Sequence, residues 1–123
     1  MSKKAKVLIV DDDPLNRLVL DKTLNTEHEV FLVESGEKAL TFVKTTQVDL
    51  IILDVVMPGI DGYEVLVQLK ENPITQSIPV IFISANHSYE DESKGLELGA
   101  MDYITKPFSA SIVRVRVRNQ LLI

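Results

Sequence analysis

The stretch KVLIVDDDP, residues 6–14, decides the class of fold to which this chain belongs. Its apolar residues follow one another without polar alternation, which is typical of a strand buried on both faces of a parallel sheet. Asp13 and Pro14 then form a helix-start signal, because aspartate is a favoured N-cap and proline tolerates the first helical position. The stretch therefore predicts a strand that leads directly into a helix, the first half of a βαβ unit.

The same arrangement recurs along the chain. Short runs rich in Val and Ile alternate with polar segments of helix length, and the runs cover Lys6–Val10, Glu29–Val33, 50–53, 79–83 and 101–105. Strict alternation favours right-handed crossovers and a parallel sheet covered on both faces. We expect a three-layer α/β/α sandwich with five helices and a five-stranded parallel sheet in the flavodoxin-like order 2-1-3-4-5.

The first three helices are predicted from N-cap residues and from apolar residues three or four positions apart. For the first helix, the predicted buried stripe is Leu15, Leu18, Val19 and Leu24. The second begins at Ser35 and buries Ala39, Leu40 and Val43. The third spans 62–71, ends at Asn72-Pro73, and buries Val65, Leu66 and Leu69.

The last two helices have weaker signals. The fourth, 88–98, has Ser88 as a cap but few apolar side chains and an internal Gly95, so we expect a mobile element. The last segment, 109–122, alternates like a strand through VRVRVR, yet it also has one apolar helical face, and we favour a helix. That face consists of Ala110, Val113, Val117 and Leu121.

Length and composition describe an ordinary folded domain. The 123 residues suit one domain, 1–123, and we expect no output module in this chain. Without cysteine there is no thiolate ligand or disulfide, so any bound metal must be a hard ion with oxygen ligands. No apolar run approaches the ~20 residues of a membrane span, and no signal peptide precedes the first strand, so we expect a cytoplasmic protein with no membrane contact.

The charge distribution argues against nucleic-acid binding. Net charge is −5, and because residues 109–123 hold three arginines and no acid, the preceding residues carry −8. Affinity for the phosphate backbone rests mainly on Lys and Arg, so this acidic body offers no surface for direct nucleic-acid contact.

Carboxylates follow the first and third predicted strands. Asp11, Asp12 and Asp13 follow the first, and Asp54 follows the third. In a doubly wound sheet of this order, these two strand ends meet at the ligand crevice. Converging carboxylates repel one another unless a cation neutralises them, and Mg²⁺ prefers oxygen ligands. We therefore predict a divalent-cation site here, with Asp13 serving mainly as the helix cap.

A hydroxyl and an ammonium are predicted at the same edge of the sheet. Ser84 ends the fourth strand, and Lys106 follows the fifth. Together they could hold the oxygens of an anion that rests on the metal, although either residue alone is more often an ordinary strand-end hydroxyl or a solvated charge. A cis bond between Lys106 and Pro107 would aim the ammonium inward.

Four segments in this order resemble the receiver domain of two-component response regulators over almost the whole chain. They are VLIVDDD (7–13), LDVVMPGIDG (53–62), ISA (83–85) and GAMDYITKPF (99–108). The resemblance implies that Asp54 accepts a phosphoryl group and that Asp11, Asp12, Asp54 and the backbone carbonyl of Val56 hold Mg²⁺, for which Mn²⁺ can substitute. It also implies that Lys106 pairs with the phosphoryl group and that Ser84 and Tyr103 form the switch.

The resemblance further implies partners. The donor would be a sensor histidine kinase or a phosphotransfer protein, and the reader would be an output domain or effector that senses the fourth helix, fifth strand and fifth helix. We expect a signalling switch that assists its own phosphorylation and dephosphorylation, not an enzyme with a separate substrate. Val56 and Asn86 would flank the path of the hydrolytic water, and the apolar Val56 would slow loss of the phosphoryl group.

Other interpretations and one further expectation stand beside this one. A haloacid-dehalogenase-type phosphatase needs an Asp-x-Asp-x-Thr-like run, whereas residues 11–15 read DDDPL. A phosphorylation-independent interaction module is the serious alternative. Ile112, Val115 and Leu122 predict a second apolar strip beside three arginines, which suggests a homodimer through this face unless the arginines pair within one chain.

Overall fold

A computed structural model describes residues 4–85 and 88–122. The expectation that concerns Asn86 lies outside these residues. The strands are β1 (Lys6–Val10), β2 (Glu29–Val33), β3 (Leu50–Asp54), β4 (Val80–Ser84) and β5 (Asp102–Thr105). The helices are α1 (Pro14–Leu24), α2 (Gly36–Thr45), α3 (Gly62–Glu71), α4 (Tyr89–Glu97) and α5 (Ala110–Leu121).

The five strands form one parallel sheet in the order β2-β1-β3-β4-β5, as predicted. β1 and β3 are neighbours, with Val10 beside Leu53, so the residues that follow or end these strands lie side by side. Three predicted strands differ from the observed ones by one residue at a boundary: β3 ends at Asp54, β4 is shifted by one residue at both ends to Val80–Ser84, and β5 starts at Asp102.

The core has two apolar layers, one on each face of the sheet. α2 and α3 pack on one face, where they contact Leu8 and Val10 of β1, whereas α1 and α5 pack on the other face, where they contact Val7 and Ile9. Consecutive residues of β1 thus enter opposite layers, and all four are buried. This explains why the strands lack polar alternation.

The predicted buried stripe of α1 is wrong except for Leu24. The structure buries Leu20, Thr23 and Leu24. Leu15, Leu18 and Val19 are instead 65%, 49% and 40% exposed. Because a helix turns about 100° per residue, a side chain two positions before Leu20 lies on the far side of the helix. Apolar spacing alone selected the wrong face.

The other helices form where they were predicted. α2 and α3 begin after Ser35 and Asp61, whose side chains accept backbone N–H groups. Segment 109–122 contains α5 (Ala110–Leu121), which is capped by Ser109 and fully buries Val113 and Val117. α4 begins after Ser88 and packs through Gly95, where an added Cβ would meet the ring of Phe82 at 3.0 Å. Within the described ranges, no helix is long and apolar enough to cross a membrane.

Candidate functional site

The predicted carboxylates meet at the carboxyl edge of the sheet. Asp11 directly follows β1 and is 2% exposed, while Asp54 ends β3 and is 6% exposed. Asp12 is exposed to solvent at the mouth of the crevice. The three residues each offer a carboxylate oxygen within 4.8 Å of the others.

Lys106 places its ammonium between the two buried carboxylates. Its Nζ lies 3.1 Å from Oδ2 of Asp11 and 3.2 Å from Oδ2 of Asp54. The bond between Lys106 and Pro107 is cis. The main-chain N–H of Lys106 donates to the carbonyl oxygen of Ser84 at 2.8 Å, which anchors the loop after β5 to the end of β4.

The crevice changes the protonation of its acidic and basic groups. Burial, and then the charge of Asp11, raise the pKa of Asp54 from 3.8 to about 6, although Lys106 and a hydrogen bond from the backbone of Val56 oppose the rise. For Lys106, burial lowers the pKa, but the charges of Asp54 and Asp11 outweigh it and the net pKa is raised. Lys106 therefore stays protonated at neutral pH. The ionised form of Asp54, in contrast, is destabilised by burial and by repulsion from Asp11.

The loop between β1 and α1 has a fixed shape. Oδ1 of Asp11 accepts the N–H of Asp13 at 2.9 Å, and Asp13 in turn accepts the N–H of Leu15 at 2.9 Å. Asp13 is therefore the helix cap, as predicted, and its side chain is turned to α1. Oδ2 of Asp11 remains directed at the crevice, where it meets Lys106.

The loop between β3 and α3 is held close to Asp54. The N–H of Gly62 donates to the carbonyl oxygen of Val55 at 2.8 Å. An added Cβ on Gly62 would lie 2.3 Å from the carbonyl oxygen of Asp54, so only glycine permits this contact. The side chain of Val56 is 61% exposed, and its main chain lies beside the crevice.

Comparison with known proteins agrees with this geometry. Residues 7–118 match the family model described as the response regulator receiver domain. The chain belongs to this family. Receiver domains act as phosphorylation switches, and the five-stranded order found here is that of this family's known structures.

Two curated relatives and one solved structure illustrate the similarity. A Vibrio cholerae protein named "Probable cyclic di-GMP phosphodiesterase" is 43% identical over 94% of this receiver domain and 26% of its own length. Response regulator PleD of Caulobacter vibrioides is 40% identical over 94% of this chain and 26% of its own length. The signal receiver domain of a histidine kinase from Syntrophus aciditrophicus is 36% identical, with a TM-score of 0.88, and 96% of this chain and 90% of that chain are covered. The chain thus spans about a quarter of the length of these two curated relatives.

The two predicted switch residues of the receiver domain lie on adjacent strands. Ser84 is fully buried at the end of β4, beside Thr105 of β5. Tyr103 is 6% exposed, and its ring lies 6.0 Å from that of Phe82, which also contacts the ring of Tyr63 at 5.4 Å. Tyr103 is therefore packed in an aromatic row beneath α4 and does not project into solvent.

Sequence reasoning missed two residues that shape this site. The sequence places Gly62 in the segment 53–62 and at the start of α3 but predicts no contact with Asp54, and it predicts no role for Arg17. NH1 of Arg17 donates to the carbonyl oxygen of Asp11 at 2.7 Å. Its position, six residues after Asp11 and one turn into a helix, could have suggested that it reaches back to the loop.

Proposed function

We propose that this receiver domain accepts a phosphoryl group on Asp54 in a Mg²⁺-dependent reaction. One observation carries the proposal: Asp11, Asp12 and Asp54 each offer a carboxylate oxygen within 4.8 Å of the others, and the ammonium of Lys106 contacts two of them, Asp11 and Asp54. If all are ionised, the negative charges exceed the positive charge by two. Such a crevice favours a divalent cation, and the cation with Lys106 favours an anionic group.

The donor set fits Mg²⁺. The ligands are oxygen atoms, and one of the three carboxylates lies at the solvent-exposed mouth, where retained waters can complete the coordination. We assign Asp11, Asp12, Asp54 and the backbone carbonyl of Val56 as its protein ligands, and Mn²⁺ suits the same atoms. When bound, the ion neutralises charge on the phosphoryl oxygens.

Asp54 is the nucleophile of the reaction. One carboxylate oxygen attacks the phosphorus of a phosphohistidine, the P–N bond breaks, and the departing imidazole takes up a proton. The product is an acyl phosphate on Asp54. The ammonium of Lys106, now 3.2 Å from the Asp54 carboxylate, is placed to bind a phosphoryl oxygen, so catalysis here is positioning and charge neutralisation.

The switch would run from Ser84 to Tyr103. A phosphoryl oxygen on Asp54 can attract the hydroxyl of Ser84, which lies on the strand beside β3. Movement of that hydroxyl changes the space next to β5, where Tyr103 packs beneath α4. Because α4 rests on this row through Gly95, the change would alter how α4, β5 and α5 pack.

Most of the apolar face of α1 that was predicted to be buried is exposed, which favours a protein as the donor of the phosphoryl group. Leu15, Leu18 and Val19 are exposed on α1, and Val19 reaches the crevice, because it lines one cleft with Lys106, Pro107 and Phe108. An exposed apolar patch that borders a reactive site suits a protein surface that presents a phosphohistidine. A sensor histidine kinase or a phosphotransfer protein would dock there.

The face formed by α4, β5 and α5 suggests a second interaction surface, for another copy of this chain. Ile112, Val115 and Leu122 are 44%, 47% and 83% exposed, as the sequence predicted. Arg116 pairs with Asp102 at 2.7 Å and Arg118 pairs with Glu27 at 2.6 Å, so two of the three arginines pair within the chain. Pairing within the chain is the alternative to a dimer that the sequence left open, and these pairs leave the apolar strip exposed. We therefore propose a phosphorylated homodimer whose affinity comes mainly from the apolar strip and not from the arginines.

The relatives suggest where the signal goes. Because PleD and the "Probable cyclic di-GMP phosphodiesterase" each contain a region like this chain within a longer protein, we propose an output domain or effector that acts on a cyclic dinucleotide. A phosphohistidine donor and Mg²⁺ are both available in the cytoplasm, where we place the protein.

Intact-mass spectrometry after incubation with acetyl phosphate and Mg²⁺ tests the function. We expect one hydroxylamine-sensitive phosphoryl group on the wild type and none on Asp54→Asn. Asp13→Asn is the matched control, because asparagine also caps a helix and the residue lies next to the cluster. Uptake by Asp54→Asn, or no uptake by the wild type, would contradict the proposal, and the latter would favour a phosphorylation-independent interaction module.

A further inference from the structure

Arg17 reaches from α1 to the loop that carries the acidic pair. It lies in the second turn of α1 and is half-buried, and its NH1 donates to the carbonyl oxygen of Asp11 at 2.7 Å. Asp11 is one residue past β1, so this carbonyl lies beyond the strand. A guanidinium donor gives a charge-assisted hydrogen bond, which is stronger than a bond between neutral groups.

Together with two other hydrogen bonds, the contact with Arg17 holds the main chain of Asp11 and one of its two carboxylate oxygens. The N–H of Asp11 donates to the carbonyl oxygen of Val33 at 3.2 Å, and Oδ1 accepts the N–H of Asp13 at 2.9 Å. With the carbonyl held by Arg17, only Oδ2 faces the crevice, where Lys106 lies 3.1 Å away. Rotation of the peptide between Asp11 and Asp12 would redirect both carboxylates.

We infer that Arg17 is a positioning residue for the divalent-cation site, an inference that rests on the proposed function. It orients Asp11 and Asp12 through the main chain and touches neither the ion nor the phosphoryl group. The benefit comes from preorganisation, because ligands that are already aligned lose less freedom when the cation binds.

The charge of Arg17 and its hydrogen bond to Asp11 are expected to affect the affinity for Mg²⁺ in opposite directions. Arg17 is a cation near the acidic cluster, so through space it repels Mg²⁺, and removal of its charge alone should tighten Mg²⁺ binding. Removal of its hydrogen bond should weaken binding, because the Asp11 peptide is released. The direction of the change therefore separates the two roles.

Lys38 offers a matched control for charge. It lines the same surface cleft as Arg17, together with Leu32, Val33 and Glu34. Its ammonium pairs with the exposed carboxylate of Glu34. Lys38→Met thus removes a nearby positive charge and leaves the hydrogen bond from Arg17 to Asp11 in place.

Calorimetric titration with Mg²⁺ tests the inference on the wild type, Arg17→Met, Arg17→Lys and Lys38→Met. We expect Arg17→Met to weaken Mg²⁺ binding about tenfold or more, as the loss of one charge-assisted hydrogen bond implies. Lys38→Met should bind as tightly as the wild type or tighter. Arg17→Lys should bind more tightly than Arg17→Met despite its extra positive charge, because an ammonium can donate to the same carbonyl.

Phosphoryl uptake from acetyl phosphate gives a second readout. The Mg²⁺ concentration for half-maximal uptake should rise in Arg17→Met, while the rate at saturating Mg²⁺ should match the wild type. If Arg17→Met does not fold, Arg17→Leu replaces it, because leucine also lacks a hydrogen-bond donor. Equal or tighter Mg²⁺ binding in the Arg17 variant, weaker binding in Arg17→Lys than in Arg17→Met, or a deficit that persists at saturating Mg²⁺ would overturn the inference. A wild type that binds no Mg²⁺ would instead contradict the proposed function.

Discussion

Gly62 lies directly against the main chain of Asp54: a Cβ atom on Gly62 would be 2.3 Å from the carbonyl oxygen of Asp54. Real Cβ atoms do not approach a carbonyl oxygen so closely. Because Gly62 is also the first residue of α3, the start of this helix rests on the strand end that carries the proposed phosphoacceptor. The position of α3 and that of Asp54 are therefore coupled through main-chain contact.

Gly62→Ala should displace this contact. We expect a loss of about 1–3 kcal/mol in the free energy of unfolding, typical of overpacking, together with slower phosphoryl uptake by Asp54. Urea denaturation and intact-mass spectrometry measure the two effects. Gly95→Ala is the control, since its Cβ would meet ring atoms of Phe82 at 3.0 Å, and a side chain can yield more readily than a backbone. Equal losses in the two variants would contradict the coupling.

The raised pKa of Asp54 predicts a dependence of stability on pH. Its folded-state pKa of about 6 exceeds the ordinary 3.8, so between these values the folded protein binds more protons than the unfolded chain. Without Mg²⁺, stability should therefore fall as pH rises from about 4 to 6, by about 3 kcal/mol for a shift of two pKa units.

Asp54→Asn should flatten this part of the pH profile and raise stability at pH 7, as measured by urea denaturation from pH 4 to pH 8. Asp12→Asn is the control, and a smaller effect is expected because Asp12 is exposed and the repulsion on Asp54 comes from Asp11. Parallel profiles for the wild type and Asp54→Asn would show that the strain does not reside on Asp54.

Lys106→Met removes the ammonium that bridges Asp11 and Asp54. Because two buried carboxylates then face each other, we expect a loss of about 2–4 kcal/mol at pH 7 without Mg²⁺. Millimolar Mg²⁺ should restore more stability to this variant than to the wild type, since the ion replaces the missing charge. Thermal melts measure both, and Arg118→Gln, which breaks an exposed pair with Glu27, should lose much less. Lys106→Met that melts like the wild type would argue against the bridge.

Leu18→Glu tests the proposed donor surface. A charge on this exposed face of α1 should slow transfer from a phosphohistidine protein about tenfold or more, yet leave uptake from acetyl phosphate unchanged. Ile74→Glu is the control, because Ile74 is 82% exposed and lies between α3 and β4, at the opposite edge of the sheet. Equal slowing with both donors would mean that the substitution damages the crevice itself.

Val115→Asp tests the proposed homodimer. Sedimentation of the wild type with the phosphate mimic beryllofluoride should show a dimer, and the variant should remain monomeric because a buried charge opposes an apolar interface. Ile74→Asp, at a distant exposed position, should still dimerise. A wild type that stays monomeric with and without beryllofluoride would rule out the face.

Local sequence signals predicted most of the fold because each one acts over a few residues. The apolar run of β1, the cap-and-proline pair Asp13-Pro14, and the Asn72 stop of α3 all match the structure. Segment 109–122 showed both strand and helix periods, and the helix is formed because Val113 and Val117 then enter the core together.

The face of α1 shows where local signals fail. Leu15, Leu18 and Val19 are as apolar as Leu20 and Leu24, so spacing alone could not tell which set the sheet would cover. The orientation of the helix is decided by its packing against β strands and α5, which are distant in sequence. The exposed residues form the surface that we propose for binding the phosphoryl donor.

In the candidate site, too, the sequence predicted one part and the tertiary structure decided the rest. By itself the sequence determined which chemical groups end the strands, because strand order brings Asp11, Asp54, Ser84 and Lys106 to one edge once the sheet is parallel. Only the tertiary structure decided the direction of each group: Lys106 between two carboxylates, Arg17 on the carbonyl of Asp11, and Gly62 against Asp54. Those contacts depend on atoms within a few ångströms of one another and far apart in the chain, and no pattern of neighbouring residues encodes such distances.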